Sequence, residues 1–323
     1  MSEHLTNNYR SRRIGNLNLI TNDSGRWLLL TPQEFKQFKA GIITDIELKN
    51  KLYKNFFLID QANVVSFIKA IEAKKSFLNQ ATSLHIIVPT LRCNYRCKYC
   101  HAASVPETDQ GYDMDEETAR KTVEFIMQSP SPKIIIEFQG GEPLLNFNIV
   151  KFIIEYIKQQ YSQRSVEYRF VSNFSLMNED IMNYLIDNKV GLCTSIDGPQ
   201  ALNDSYRLTT LPQGAYNYSA SWLERINKEY EKRRINSQVS ALVTVTRGSL
   251  SDYKGIIDTY VSLNLDIIHL RSINYLGNAT SQWESLSYTA EEFVEFWKKS
   301  MDYILKLNLE NKKIRERTAL ILL

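Results

Sequence analysis

From Leu84 onward the chain alternates short β-branched runs with longer stretches at helical period. The runs "LHIIVPT", "KIIIEF", "VEYRFVSN", "VGLCTSIDGP", "SQVSALVTVT" and "LDIIHLRSINYLG" read as strands. They alternate with "DEETARKTVEFIMQ", "FNIVKFIIEYIKQQY", "NEDIMNYLIDNK", "YNYSASWLERINKEYEKRR", "LSDYKGIIDTYVSLN" and "TAEEFVEFWKKSMDYILKLNLE", which read as helices. Asp115 is the expected N-cap of the first of these, with acids in its first turn. Near-continuously apolar strands alternating with helices predict an α/β fold with a parallel sheet covered by helices. Six units are two short of a closed eightfold barrel, so the expected architecture is a partial (β/α)6 TIM barrel. Periodicity alone leaves a doubly wound sheet open.

Before Leu84 the pattern changes. "NLNLITNDSGRWLLLT" reads as two strands around an Asn-Asp-Ser-Gly turn. Thr31 and Pro32 then fit the N-cap and first position of a helix that Gly41 ends. "ITDIELKNKLYKNFF" and "NVVSFIKAIEAKKSFL" look helical. The expected division is a small N-terminal α+β unit over 1–80, the partial barrel over 81–285, and the start of a C-terminal helical region over 286–323. The closing "NKKIRERTALILL" ends on an apolar run without a polar tail, which reads as a truncation.

The chain has 323 residues, 43% of them apolar and 23% charged, values of a folded globular protein. A net charge of +3 gives no argument for a nucleic-acid partner. The N-terminus lacks the apolar core of a secretory signal, and no run of about 18 apolar residues suggests a membrane span. The expectation is a cytoplasmic enzyme with reduced thiols.

Three of the four cysteines, Cys93, Cys97 and Cys100, stand in eight residues as C-x3-C-x2-C, in the loop after the first strand. Thiolates hold both iron–sulfur clusters and structural zinc. The triplet alone fits either, with His101 or Cys193 as a fourth zinc ligand. A structural zinc site usually has a second ligand pair downstream, and none is present.

The stretch "CNYRCKYC", with Tyr99 at the aromatic position, resembles the C-x3-C-x-aromatic-C motif of the radical S-adenosylmethionine enzymes. The resemblance implies that Cys93, Cys97 and Cys100 hold three irons of a [4Fe–4S] cluster. The fourth iron is then left to the amino and carboxylate groups of S-adenosyl-L-methionine. It implies reductive cleavage of that cofactor and removal of a hydrogen atom from a substrate. "GGEP", Gly140, Gly141, Glu142 and Pro143, follows the second strand as in the family, where it meets the methionine amino group. Taken alone it is a turn whose glycines allow close backbone approach. "SIDGP", followed by Arg207, resembles the peptide-modifying branch, in which the residues matching Ser195 and Arg207 hold the cofactor's carboxylate. An arginine fork suits a carboxylate. In "VSNFS" Asn173 matches the family's T-N-G, but Phe174 stands where the glycine is usual. "HLRSINYLG" resembles a further stretch of the family, through which Arg271 faces either the site or solvent.

The resemblance covers about residues 84–277 and implies a ribosomally made peptide or protein substrate and a reductant such as flavodoxin or ferredoxin. Enzymes of this branch normally carry a cysteine-rich SPASM-type domain, and no cysteine follows Cys193. "NYRSRRIGNLNLITNDSGRWLLLTPQEF" resembles the start of His-Xaa-Ser system maturases of the B type. That implies a His-Xaa-Ser repeat peptide and a partner maturase. The N-terminal unit then reads equally as a peptide-docking module or as a structural lid. Two other readings stand beside an active maturase: a cofactor-binding remnant or partner subunit without turnover, and a zinc-binding module. Cys193 reads as a small buried hydrophobe. His4 reads as part of a disordered start, and Asp204 as a local cap. His85 and His269 are assigned no role, and no residue is assigned as acid, base or radical quencher.

Overall fold

The computed structural model describes residues 4–79 and 81–322. The chain divides into two compact units, Met1–Ala81 and Thr82–Leu323.

The first unit is a three-stranded antiparallel sheet, Tyr9–Ile14, Leu17–Asn22 and Trp27–Leu30, with helices Pro32–Ala40, Ile46–Lys54 and Val64–Lys75. Thr31 and Glu34 form a reciprocal capping box and Gly41 closes the first helix at φ 69°. The two strands around the Asn22–Gly25 turn pair as expected, Thr21 opposite Trp27. A third strand, "YRSRRI", lies outside them with nearly every side chain exposed, so no apolar alternation marks it in the sequence. The expected disordered start gives way to order. Leu5–Thr6 pairs with Leu58–Ile59, and His4 Nδ1 lies 3.3 Å from Asp60. Ile20, Leu30, Phe38, Leu52 and Phe57 form the core.

In the second unit six parallel strands stand side by side in chain order: Leu84–Ile87, Lys133–Phe138, Ser165–Val171, Gly191–Ser195, Ser240–Val245 and Leu270–Ser272. A doubly wound sheet reverses its order at a switch point. This one does not reverse, and it curls into a half-barrel. Asp115 caps the helix Glu116–Ile126 through Thr118 N. The last strand is shorter than its sequence suggests. Arg271 N bonds back to His269 O, and the preceding Ile267–Ile268 pairs instead with Arg315–Glu316.

Each strand obeys the period of two. Ile134, Ile136 and Phe138 of the second strand, and Leu192 of the fourth, point outward into one core with Val150, Ile153, Leu185 and Ile226 of the covering helices. The helix Ala290–Leu309 adds Phe296, Ile304 and Leu307 to the same core. Many inward positions are polar and half-buried, among them Glu137, Gln139, Arg169, Cys193, Ser195 and Thr244. They line a cavity of about 1230 Å³. The cavity side is the more polar one, although Val171 and Leu242 also stand there, because the interior is kept open rather than filled. Among the described residues no helix is long and apolar enough to cross a membrane.

Candidate functional site

The cysteine loop is fastened before its first cysteine. Arg92 places its fork on Asp113, Nε on Oδ1 at 2.8 Å and Nη2 on Oδ2 at 2.7 Å. That bidentate pair holds the Asp113 carboxyl below its ordinary range. Thr90 donates to the same carboxylate at 2.6 Å.

The glycines of "GGEP" serve this loop. Gly141 N donates to Thr90 O at 2.9 Å and Glu142 N to Arg92 O at 2.8 Å. A Cβ on Gly140 would lie 2.5 Å from Thr90 O, and one on Gly141 2.1 Å from Arg92 O. Gly140 also has φ +131°. The sequence suggested close approach to a ligand. The close approach here is to the backbone that carries Cys93. Glu142 is likewise committed to the protein. Its Oε1 accepts from Leu144 N at 3.1 Å and from Ser172 Oγ at 2.7 Å, and its Oε2 accepts from Asn173 N at 2.8 Å. Burial pushes its carboxyl up, against those hydrogen bonds. Pro143 is buried and opens the short turn that follows.

Asn173 ties the end of the third strand to the cysteine loop. Its Nδ2 donates to Asn94 Oδ1 at 3.0 Å, and Asn94 Nδ2 donates to Ser175 Oγ at 2.8 Å. Phe174 adopts φ 62°, the left-handed conformation that a glycine would take there, with its ring fully buried. A non-glycine residue thus holds a backbone conformation that favours glycine.

All three loop cysteines line the cavity, together with Tyr99, Gly140, Gly141, Glu142, Asn173, Ser195 and Arg207. Cys93 is buried, its Sγ accepts from Tyr95 N at 3.3 Å, and burial pushes its thiol up to about 12. Cys97 is raised by burial as well, with Arg207 pulling the other way. Cys100 Sγ lies 3.6 Å from Ser104 Oγ. Among the described residues no three His, Cys, Asp or Glu side chains converge closely enough to hold a single ion.

Arg207 reaches the site through a two-residue strand, Arg207–Leu208, paired antiparallel with Arg96–Cys97. Its side chain is buried, its guanidinium lies 6.0 Å over the Tyr95 ring, and its Nη1 donates to Tyr99 Oη at 3.1 Å. The Tyr99 hydroxyl donates in turn to Asp197 Oδ2. Arg207 Nε is buried and has no partner among the described residues. Tyr99 is expected at the site from the cysteine motif; Asp197 lies within "SIDGP" but reads in the sequence only as part of a turn, and the link between them is not foreseen there.

Cys193 corrects an expectation. It does not pack in the hydrophobic core; it faces the cavity from an inward position of the fourth strand. Burial pushes its thiol up to about 11. Arg271 faces the cavity too, as do His101 and His269. Burial and the Arg271 charge lower the imidazole of His101. Asp204 accepts from Tyr216 N at 2.7 Å and caps the helix Gly214–Lys232. His85 lies outside the cavity, near Thr82 O.

The family model of the Radical SAM superfamily matches residues 87–248. The chain is 38% identical over 126 residues to an uncharacterized protein of Methanocaldococcus jannaschii, 38% of this chain and 41% of that protein. It is 26% identical over 226 residues to the radical SAM cyclopropyl synthase TigE of Paramaledivibacter caminithermalis, 64% of this chain and 46% of that protein. It thus spans less than half the length of these two relatives. Its fold is similar to that of native anSMEcpe with bound AdoMet, at TM-score 0.60 and 17% identity, over 73% of this chain and 64% of that one. It is also similar to Streptococcus suis SuiB bound to the precursor peptide SuiA, at TM-score 0.53 and 12% identity, over 95% and 71% of the two chains.

Proposed function

The chain belongs to the radical SAM superfamily, which uses a [4Fe–4S] cluster and S-adenosylmethionine, and from that premise we propose that it modifies a peptide or protein substrate. The observation that carries the reading is a juxtaposition at one mouth of the half-barrel. Three cavity-lining thiols stand beside a buried guanidinium whose Nε has no partner among the described residues. A buried arginine nitrogen without an acceptor costs free energy unless a ligand supplies one.

The residues fit the cofactors. Cys93, Cys97 and Cys100 are the cluster ligands in this reading, and each loses its proton on binding iron. Gly141 and Glu142 fix the loop from below. Asn173, through Asn94, fixes it from the side. Tyr99 orients Arg207, and Arg207 with Ser195 takes a carboxylate. When bound, the cluster and S-adenosylmethionine supply one-electron cleavage of a sulfonium and removal of a substrate hydrogen atom. The chain's own part is to bind, to orient and to keep water from the closed side of the cavity.

A peptide substrate is favoured by the kinds of protein the chain resembles. TigE is a radical SAM cyclopropyl synthase, anaerobic sulfatase-maturating enzymes stand among the relatives, and SuiB is seen with a precursor peptide. The finer proposal is a His-Xaa-Ser repeat peptide with a partner maturase, supported by the resemblance of residues 8–35. The N-terminal unit is then a docking module. The outer strand Tyr9–Ile14 of its sheet offers an exposed edge to which an extended leader can add.

The test is anaerobic reconstitution with iron and sulfide, then metal analysis and a 5′-deoxyadenosine assay under dithionite. About four irons per chain and deoxyadenosine formation are expected. Zinc after native anaerobic purification, with no deoxyadenosine after reconstitution, would overturn the reading.

A further inference from the structure

Arg207 and Asp197 are both buried, and they do not touch through a direct salt bridge. The Tyr99 phenol stands between them. Its direction is not ambiguous, because a guanidinium cannot accept a hydrogen bond and a carboxylate cannot donate one. Arg207 Nη1 therefore donates to the phenol oxygen, and the phenol proton goes to Asp197 Oδ2. Asp197 is itself fixed. Its Oδ1 accepts from Thr244 N at 2.9 Å, and its own N donates to Asn203 Oδ1 at 3.0 Å.

The spacing matters. A buried arginine needs a counter-charge. A carboxylate in direct contact would occupy two guanidinium nitrogens, as Asp113 does with Arg92. With one phenol interposed, the counter-charge is supplied and a single guanidinium nitrogen is used. Nη1 is the only guanidinium nitrogen of Arg207 with a hydrogen-bond partner among the described residues. The Tyr95 ring lies against the guanidinium and limits its swing. The arginine is held at both its face and one corner, with the rest of its fork unspent.

We propose that Asp197 and Tyr99 are positioning residues that preset the Arg207 fork for a ligand carboxylate, with the phenol serving as a spacer that keeps the buried acid from consuming the fork. This rests on the reading that S-adenosylmethionine binds in this cavity. Both act through Arg207; Tyr99 also lines the cavity, and Asp197 stands behind it, outside the lining.

The test compares S-adenosylmethionine with decarboxylated S-adenosylmethionine, which lacks only the carboxylate. Both are measured by equilibrium dialysis against the reconstituted protein without reductant, so that binding is read and turnover is not. Wild type should prefer the carboxylate-bearing ligand. In Tyr99→Phe that preference should fall about ten-fold or more, the scale of one charge-assisted hydrogen bond, while affinity for the decarboxylated ligand stays within about three-fold. Asp197→Asn should lower the preference in the same direction, since it removes the counter-charge and leaves one acceptor oxygen for two donors, the phenol and Thr244 N. It is also the second variant should Tyr99→Phe lose iron or fold. A Tyr99→Phe or Asp197→Asn protein that keeps the wild-type preference overturns the inference alone, as does an equal loss for both ligands, which marks a merely structural role. A wild type that binds neither ligand overturns the cofactor reading and the inference with it.

Discussion

Arg207 and Cys97 are register partners in a two-residue antiparallel bridge, so a buried guanidinium and a cavity-lining thiol ride on directly opposed backbones. The bridge joins the loop after the first strand to the segment after the fourth. Arg207 thereby opposes the burial that raises the Cys97 thiol.

Arg207→Lys keeps the charge and removes the fork. S-adenosylmethionine affinity should fall about 10- to 100-fold, the loss of a bidentate charge-assisted contact, while iron per chain stays at the wild-type value. Dialysis and metal analysis on one preparation read both. Loss of iron would mean that Arg207 holds the thiol loop rather than a ligand.

Gly141→Ala sets a methyl 2.1 Å from Arg92 O, on backbone that cannot swing aside as a side chain could. The loop carrying Cys93 must shift. A cost of about 3 kcal/mol is expected, seen as a lower melting temperature together with substoichiometric iron after reconstitution. Wild-type iron content in this variant would show that the loop has slack the packing does not suggest.

Phe174 sets two effects against each other. Its left-handed φ costs about 1–2 kcal/mol, which Phe174→Gly would relieve. Its fully buried ring contributes about 3–5 kcal/mol, which the same change would forfeit. Burial wins, and a net loss of about 1–4 kcal/mol is expected in urea unfolding. A stabilised variant would show that strain outweighs packing here.

Cys193 supplies a pH dependence. Its folded pKa of about 11 lies above the thiol's ordinary value of 9.0, because burial favours the neutral form. Below pH 9 both folded and unfolded states hold the proton and the contribution is fully present. As pH rises from 9 toward 11 the unfolded chain ionises first and the contribution is lost, by roughly 3 kcal/mol at most. The melting-temperature difference between wild type and Cys193→Ala should therefore shift against wild type across that window. A difference that is flat with pH would place Cys193 in a wetter setting than its burial implies.

The half-barrel was legible because its signal is local. Apolar runs alternate with helical periods, and each motif sits just past the run that positions it. The chain order of the strands was not legible, since periodicity carries no pairing partner. Tyr9–Ile14 escaped because an edge strand with exposed side chains carries no apolar alternation. Within the site, Cys93, Cys97, Cys100 and "GGEP" announced themselves by spacing. The Asp197–Tyr99–Arg207 chain did not, since its links span 98 and 108 residues and involve residue types found in any turn or core. Gly140 and Gly141 were visible as glycines, but the backbone they accommodate lies about 50 residues upstream in another loop. Cys193 was misjudged because alternation tells that a strand has two faces, and not which face borders a cavity.

A six-stranded curl leaves its first and last strands without each other as neighbours. The loops above them do meet. Asn278 N donates to Cys100 O at 2.8 Å, and Gly277, at φ +54°, is pressed so close that a Cβ there would lie 2.2 Å from the same oxygen. The gap that the sheet leaves below is thus spanned above by the cysteine loop itself, like the crown of an arch standing on two unconnected walls. Whatever stiffens or slackens that loop acts on both walls at once, so a change at three cysteines is felt at the two strands that the sheet itself leaves unjoined.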